Sequence, residues 1–179
     1  MRELTLLGFL TQYVRKLSYG NTNNIYKLAD EVNRGHYRLR EPLVLYAMCS
    51  GKEALLLRAA KHSALYEHGS KMFATYNKDN IELALQDDNR FLNSEYKKVW
   101  SSYQCAKNKL QSDNHTKELI RQKIKQIQQQ KCISNYKIYT GLKLNKGNVN
   151  AWLKDGVQSK VSLNTARLIL KYVHNLSAG

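Results

Sequence analysis

Proline is nearly absent: Pro42 stands alone in 179 residues. A sandwich or barrel built on many tight turns needs more, so its scarcity argues for helices. Acids are also few. Fourteen Asp and Glu face 29 Lys and Arg, a net charge of +15, while the 24% charged fraction is ordinary. The excess therefore comes from missing acids. It suits a polyanion, either nucleic acid or an acidic membrane surface. Cysteine is limited to Cys49, Cys105 and Cys132, odd in number and without a CxxC pair. That excludes a fully paired disulfide framework and a CxxC zinc half-site, and predicts reduced thiols in a cytosolic protein. Long apolar runs are missing too. Leu4–Leu10 and Ala54–Leu57 fall short of the ~18–20 residues that a membrane span needs. Glu3 precedes the first run and no small-residue cleavage site follows it, so no signal peptide is expected.

The chain fits one domain or two small ones, and its 42% hydrophobic content supports a core without disulfides or metals. The polar stretch Ser112–Asn114 reads as a helix break, which sets a boundary there. Residues 1–112 carry 17 basic and 11 acidic side chains, net +6. Residues 113–179 carry 12 basic side chains against Asp113, Glu118 and Asp155, net +9. The pattern predicts a basic binding module, 113–179, attached to a milder domain, 1–112.

The first domain reads as helical. Leu4, Leu7, Phe9, Leu10, Val14 and Leu17 recur at helical spacing and predict a helix over 3–17. Asn23 or Asn24 caps a short helix carrying Ile25, Leu28, Ala29 and Val32. Pro42 suits the first turn of a third helix, which Gly51 ends. A longer helix is expected from Lys52 toward Tyr76, with Leu55, Leu56, Ala59 and Leu65 facing inward. Ile81, Leu83 and Leu85 form a short segment of open type. Phe91, Tyr96, Val99, Trp100, Tyr103 and Leu110 predict another long helix. No catalytic constellation is visible. His62 and His68 are not spaced as ligands on one helix face, and Asp87–Asp88 reads as a solvated turn. There is no phosphate-binding glycine loop and no nucleophile motif. The expectation is a protein that is not an enzyme and holds no metal or cofactor.

The last third is denser in signals. Asn114–Lys131 reads as a helix with Leu119, Ile120, Ile124 and Ile127 as its apolar stripe. Ser134 caps a short helix with Tyr136, Ile138, Tyr139 and Leu142. Asn145 caps the next, which carries Val149, Trp152 and Leu153 and ends at Asp155–Gly156. Ser162 caps a last helix with Leu163, Ala166, Leu168, Ile169, Leu170 and Val173.

Over Thr116–Leu176 this segment resembles the helix-turn-helix domain of the lambda-repressor-like (XRE/Cro) family. Val149 and Trp152, three apart, match the apolar pair that pins the second helix on the first. Ile138, Leu142 and Leu144 fill the other core positions, and Ser162–Arg167 resembles the family's capped closing helix. Tyr139 falls where the family has a small residue, and Lys143 where it has the turn glycine. Tyr139 then needs room between the helices, and Lys143 must accept a strained backbone or the turn must differ. Gly141 and Gly147 nearby allow a shifted register. The fold expected is all-α: a helical N-terminal domain followed by a compact four- to five-helix bundle.

The resemblance implies double-stranded DNA as partner, with the second helix in the major groove. Asn145, Lys146, Gly147, Asn148, Asn150, Ala151 and Lys154 are then the base-contact candidates. Asn amides pair with adenine and Lys donates to guanine, while Gly and Ala admit close approach. Ser134, Asn135, Lys143, Lys160 and Ser162 are the phosphate candidates, with Lys137 and Arg121 behind them. The function expected is a bacterial or phage-type transcriptional repressor acting as a homodimer in the cytoplasm, at the nucleoid. The alternative is an antitoxin or phage-defence component whose N-terminal domain binds a partner protein. RNA binding, with some of the twelve tyrosines stacking on bases, is a weaker rival. No membrane association is expected.

Overall fold

A computed structural model describes residues 3–177 and is all-α, with no strand among them. The chain divides into two compact units, Glu3–Ala106 and a second that begins at Lys107.

In the first unit, α1 (Leu6–Leu17) starts where the Thr5 hydroxyl accepts from Gly8 N at 3.1 Å. It buries Leu6, Leu10 and Val14. The next helix, α2 (Ile25–Asn33), is capped by Asn24, whose Oδ1 accepts from the N–H groups of Tyr26 and Lys27. A short 3-10 turn at Tyr37–Leu39 leads into α3 (Arg40–Cys49). Every residue of α3 from Glu41 to Met48 is buried. A helix apolar on all sides belongs at the centre of a core, and α1, α2 and the next helices pack around it. It stops at Gly51, whose φ of +68° a side chain rarely adopts, and Lys52 N closes back on Ala47 O at 2.8 Å.

The single helix expected from Lys52 to Tyr76 is two: α4 (Glu53–Ala59) and α5 (Ala64–Thr75). His62 takes φ +62° between them, and the Ser63 side chain accepts from Tyr66 N. Apolar spacing runs through the break without interruption, so only Ser63, a capping residue, marks it. The open segment is α6 (Ile81–Asp87), with Ile81 and Leu85 buried and Leu83 turned outward. A 3-10 turn at Asn89–Phe91 holds Phe91 against Tyr76 and Tyr96.

The helix break expected at Ser112–Asn114 does not occur. One helix, α7, runs from Glu95 to Lys131 over 37 residues. Ser, Asp and Asn each cost a helix interior only about 0.5 kcal/mol, and no Gly or Pro lies in the span. The boundary between the units falls inside this helix.

The second unit contains the end of α7, then α8 (Asn135–Gly141), α9 (Lys146–Leu153) and α10 (Leu163–Ser177), with a 3-10 turn at Gln158–Lys160. Its core is Ile124, Ile127, Ile133, Ile138, Val149, Trp152, Leu153, Val161, Ala166, Ile169 and Val173. Leu119, expected in the apolar stripe of α7, is 53% exposed.

Cys49 is half-buried at the end of α3, whereas Cys105 on α7 and Cys132 just past it are exposed. Among the described residues no helix is long and apolar enough to cross a membrane, and no cluster of His, Cys, Asp and Glu could hold a metal ion.

Candidate nucleic-acid interface

The candidate residues sit on two short helices and the turn between them. Ser134 opens α8 by accepting from Lys137 N at 3.3 Å. Asn145 opens α9 by accepting from Asn148 N at 3.0 Å. Between them Lys143 takes φ +52°, and Leu144 N returns to Tyr139 O at 2.8 Å. The position where the family places glycine thus has a left-handed backbone here, but carries a lysine side chain. Tyr139 is half-buried and meets Tyr136 edge to face, with ring centroids 5.5 Å apart. Gly141 has another use than a shifted turn. A Cβ there would run into the Tyr172 hydroxyl, so the tip of that side chain, reaching over from α10, takes the space beside Gly141.

One face of α9 is anchored. Val149, Trp152 and Leu153 are buried, and Trp152 Nε1 donates to Gln158 Oε1 at 3.3 Å. Gly156, at φ +71°, ends the run. What remains outward is Asn145, Lys146, Gly147, Asn148 and, past the helix end, Lys154, all exposed, with Asn150 and Ala151 half-buried.

A chain of side-chain bonds lies behind this face. Gln128 Nε2, near the end of α7, donates to Asn135 Oδ1 at 2.8 Å, and Asn135 Nδ2 donates to Asn150 Oδ1 at 3.0 Å. Asn135, a phosphate candidate, and Asn150, a base candidate, are therefore bonded to each other. This leaves Asn150 its Nδ2 and one oxygen lone pair for another partner. Ser134, Asn135 and Lys154 also border one concavity of about 420 Å³, together with Lys125. Lys143 and Lys160 are exposed elsewhere on the unit. The Ser162 hydroxyl accepts from Thr165 N at 3.0 Å, which makes it the cap of α10.

Arg121, read from sequence as a rim cation, is internal. Its Nε and Nη2 hold Glu118 at 2.9 and 2.7 Å, and its Nη1 donates to Leu153 O at 3.2 Å. It closes the C-terminal end of α9 and holds the Glu118 carboxyl below the usual carboxylate range. Lys117 is also internal. It is 6% exposed, and its Nζ donates to Gln158 O at 2.6 Å and to Val161 O at 3.3 Å. Burial pushes its pKa down. Gln158 ties the two sites together by donating to Glu118 Oε2 at 2.9 Å. This support under α9 has no sequence signature, because its partners lie 32 to 44 positions apart.

In the first unit His68 shares a 2.6 Å hydrogen bond with the Tyr96 hydroxyl, 3.7 Å from the buried Glu41 carboxylate. Burial lowers its pKa, and Arg40 adds to the effect. Asp88 pairs with Arg90 and accepts from Tyr76.

No family model, curated protein or solved structure matches the chain.

Proposed function

We propose that the second unit is a helix-turn-helix module that docks α9 in the major groove of duplex DNA, and that the protein is a sequence-specific transcriptional regulator. The observation that carries this reading is the division of α9. Val149, Trp152 and Leu153 fasten one side, while Asn145, Lys146, Gly147, Asn148 and Lys154 stay exposed, the first acid, Asp155, coming only past the helix end. Polar amides and ammonium groups on a short, well-seated helix are what base edges need, and an acid there would meet phosphate. Lys143 and Lys160 stand as phosphate contacts. A homodimer would read two half-sites about 34 Å apart, acting at the nucleoid in the cytoplasm.

The test uses the full chain and a duplex carrying the promoter of its own gene, followed by fluorescence anisotropy across a salt series. Each phosphate contact contributes about 0.9 to the log–log slope. Lys146→Ala together with Asn148→Ala should cost about 1–3 kcal/mol per base contact at the specific site and little on unrelated DNA. A salt-independent affinity, or an unchanged preference in that double variant, ends the proposal.

A further inference from the structure

We infer that the crook between α4 and α5, in the first unit, is a binding site for a nucleoside phosphate. The concavity measures about 730 Å³, inside the roughly 300–1,000 Å³ range of small-ligand pockets. All of its walls come from the end of α4, the turn and the first turns of α5. Arg58 and Lys61, three apart in sequence and both exposed, are among its lining residues, with His62 after them. Arg34, Arg40, Arg90 and Arg121 each hold a carboxylate. Among the described residues Arg58 and Lys61 hold none. A guanidinium fork beside an ammonium suits the oxygens of one phosphate group.

The remaining lining residues differ in chemistry. Tyr66, 40% exposed, lines the space together with the half-buried Leu57. A phenol ring of this kind stacks on a nucleobase. Glu67 lies next to it. Its carboxylate accepts hydrogen bonds from ribose hydroxyls or from a base amino group, but repels a second phosphate. One anionic end, one planar apolar part and hydrogen-bond donors between them describe a mononucleotide better than a nucleic-acid strand. The surrounding charge agrees: residues 3–106 carry 14 basic and 11 acidic side chains, net +3, too little to gather a polyanion.

The test is calorimetric titration of the full chain with AMP, GMP, CMP and UMP, alongside inorganic phosphate, the uncharged nucleosides and a single-stranded oligonucleotide. At least one nucleotide should saturate at one per chain. Arg58→Ala with Lys61→Ala should weaken it by about tenfold or more, and Tyr66→Leu by several-fold, with helicity unchanged by circular dichroism. Lys71→Ala, exposed on the same helix, should leave it as it was. Four results would overturn the inference: no saturable nucleotide binding, full affinity in the Arg58/Lys61 variant, inorganic phosphate binding as tightly as any nucleotide, or an oligonucleotide outcompeting them all. The site stands apart from the proposed DNA face. Lys146→Ala should not alter this titration, so the two readings fail separately.

Discussion

The two units handle charge in opposite ways. Residues 3–106 set 11 acids against 14 bases, and several of them pair: Arg34 with Asp30, Arg40 with Glu41, Arg90 with Asp88 and Lys98 with Glu95. From Lys107 onward there are 14 basic and three acidic side chains, net +11, and Arg121 pairs with Glu118. Their interiors differ as well. The first core is rich in aromatics, with Tyr46, Phe91, Tyr96, Trp100 and Tyr103 buried among aliphatic residues. The second is aliphatic around a single buried aromatic, Trp152. The first buries a carboxylate, Glu41, and the second a lysine, Lys117. A surface that carries almost as many acids as bases has a weak net pull on a polyanion. One stripped of acids keeps its field for an external partner.

The largest effect that would test this contrast is Trp152→Ala. It should cost about 3–5 kcal/mol and speed hydrogen exchange in α8–α10 while α1–α5 stay protected. Equal loss of protection in α1–α5 would break the picture of two separate cores. Gly141→Ala comes next, at about 1–2 kcal/mol, because its Cβ would displace the Tyr172 hydroxyl from its place beside α8. Tyr172→Ala in the same chain should restore part of that loss. Strictly additive losses in chemical denaturation would count against the contact. Lys117→Met removes the donor to two carbonyls and should cost about 1–2 kcal/mol, read as a lower melting temperature.

Lys143→Gly sharpens the comparison differently. Glycine relieves the left-handed backbone, so stability should rise by about 1 kcal/mol. The slope of DNA affinity against salt should drop by about 0.9 with the lost phosphate contact. Unchanged salt dependence would remove Lys143 from the interface. The smallest effect concerns acid. Arg121 lowers the Glu118 pKa. At Glu31 burial works upward, but hydrogen bonds from Ser18, Tyr19 and His36 outweigh it. Carboxyls with depressed folded pKa values contribute stability above the ordinary carboxylate range and lose it as pH falls through their folded values. Both units should therefore weaken below about pH 4. Arg121→Gln should flatten that acid limb in the second unit alone.

Much of the helical outline was legible because it rests on local chemistry. Asn24, Ser134, Asn145 and Ser162 cap helices through bonds two or three residues away. Pro42 and Gly51 bracket α3 by their own backbone limits. The 60–63 break was hidden, because apolar spacing continues across it and His62 gives no warning of φ +62°. The uninterrupted α7 was hidden for the opposite reason: the weak penalties of Ser112, Asp113 and Asn114 looked like a boundary. On the candidate site, exposure of Lys146 and burial of Trp152 followed from helical phase. The engagement of Asn150 by Asn135, and of Arg121 by the Leu153 carbonyl, did not, since these partners meet only after folding.

The three thiols turn the molecule into its own reporter. Burial, with Glu82 and Glu53 nearby, pushes the Cys49 thiol up to about 12 and keeps it protonated at neutral pH. Cys105 and Cys132 are open to solvent, one in each unit. A maleimide dye pair should attach at those two positions in the unaltered chain, one on α7 and one just past its end, and energy transfer between them would then register any bending or fraying of that helix.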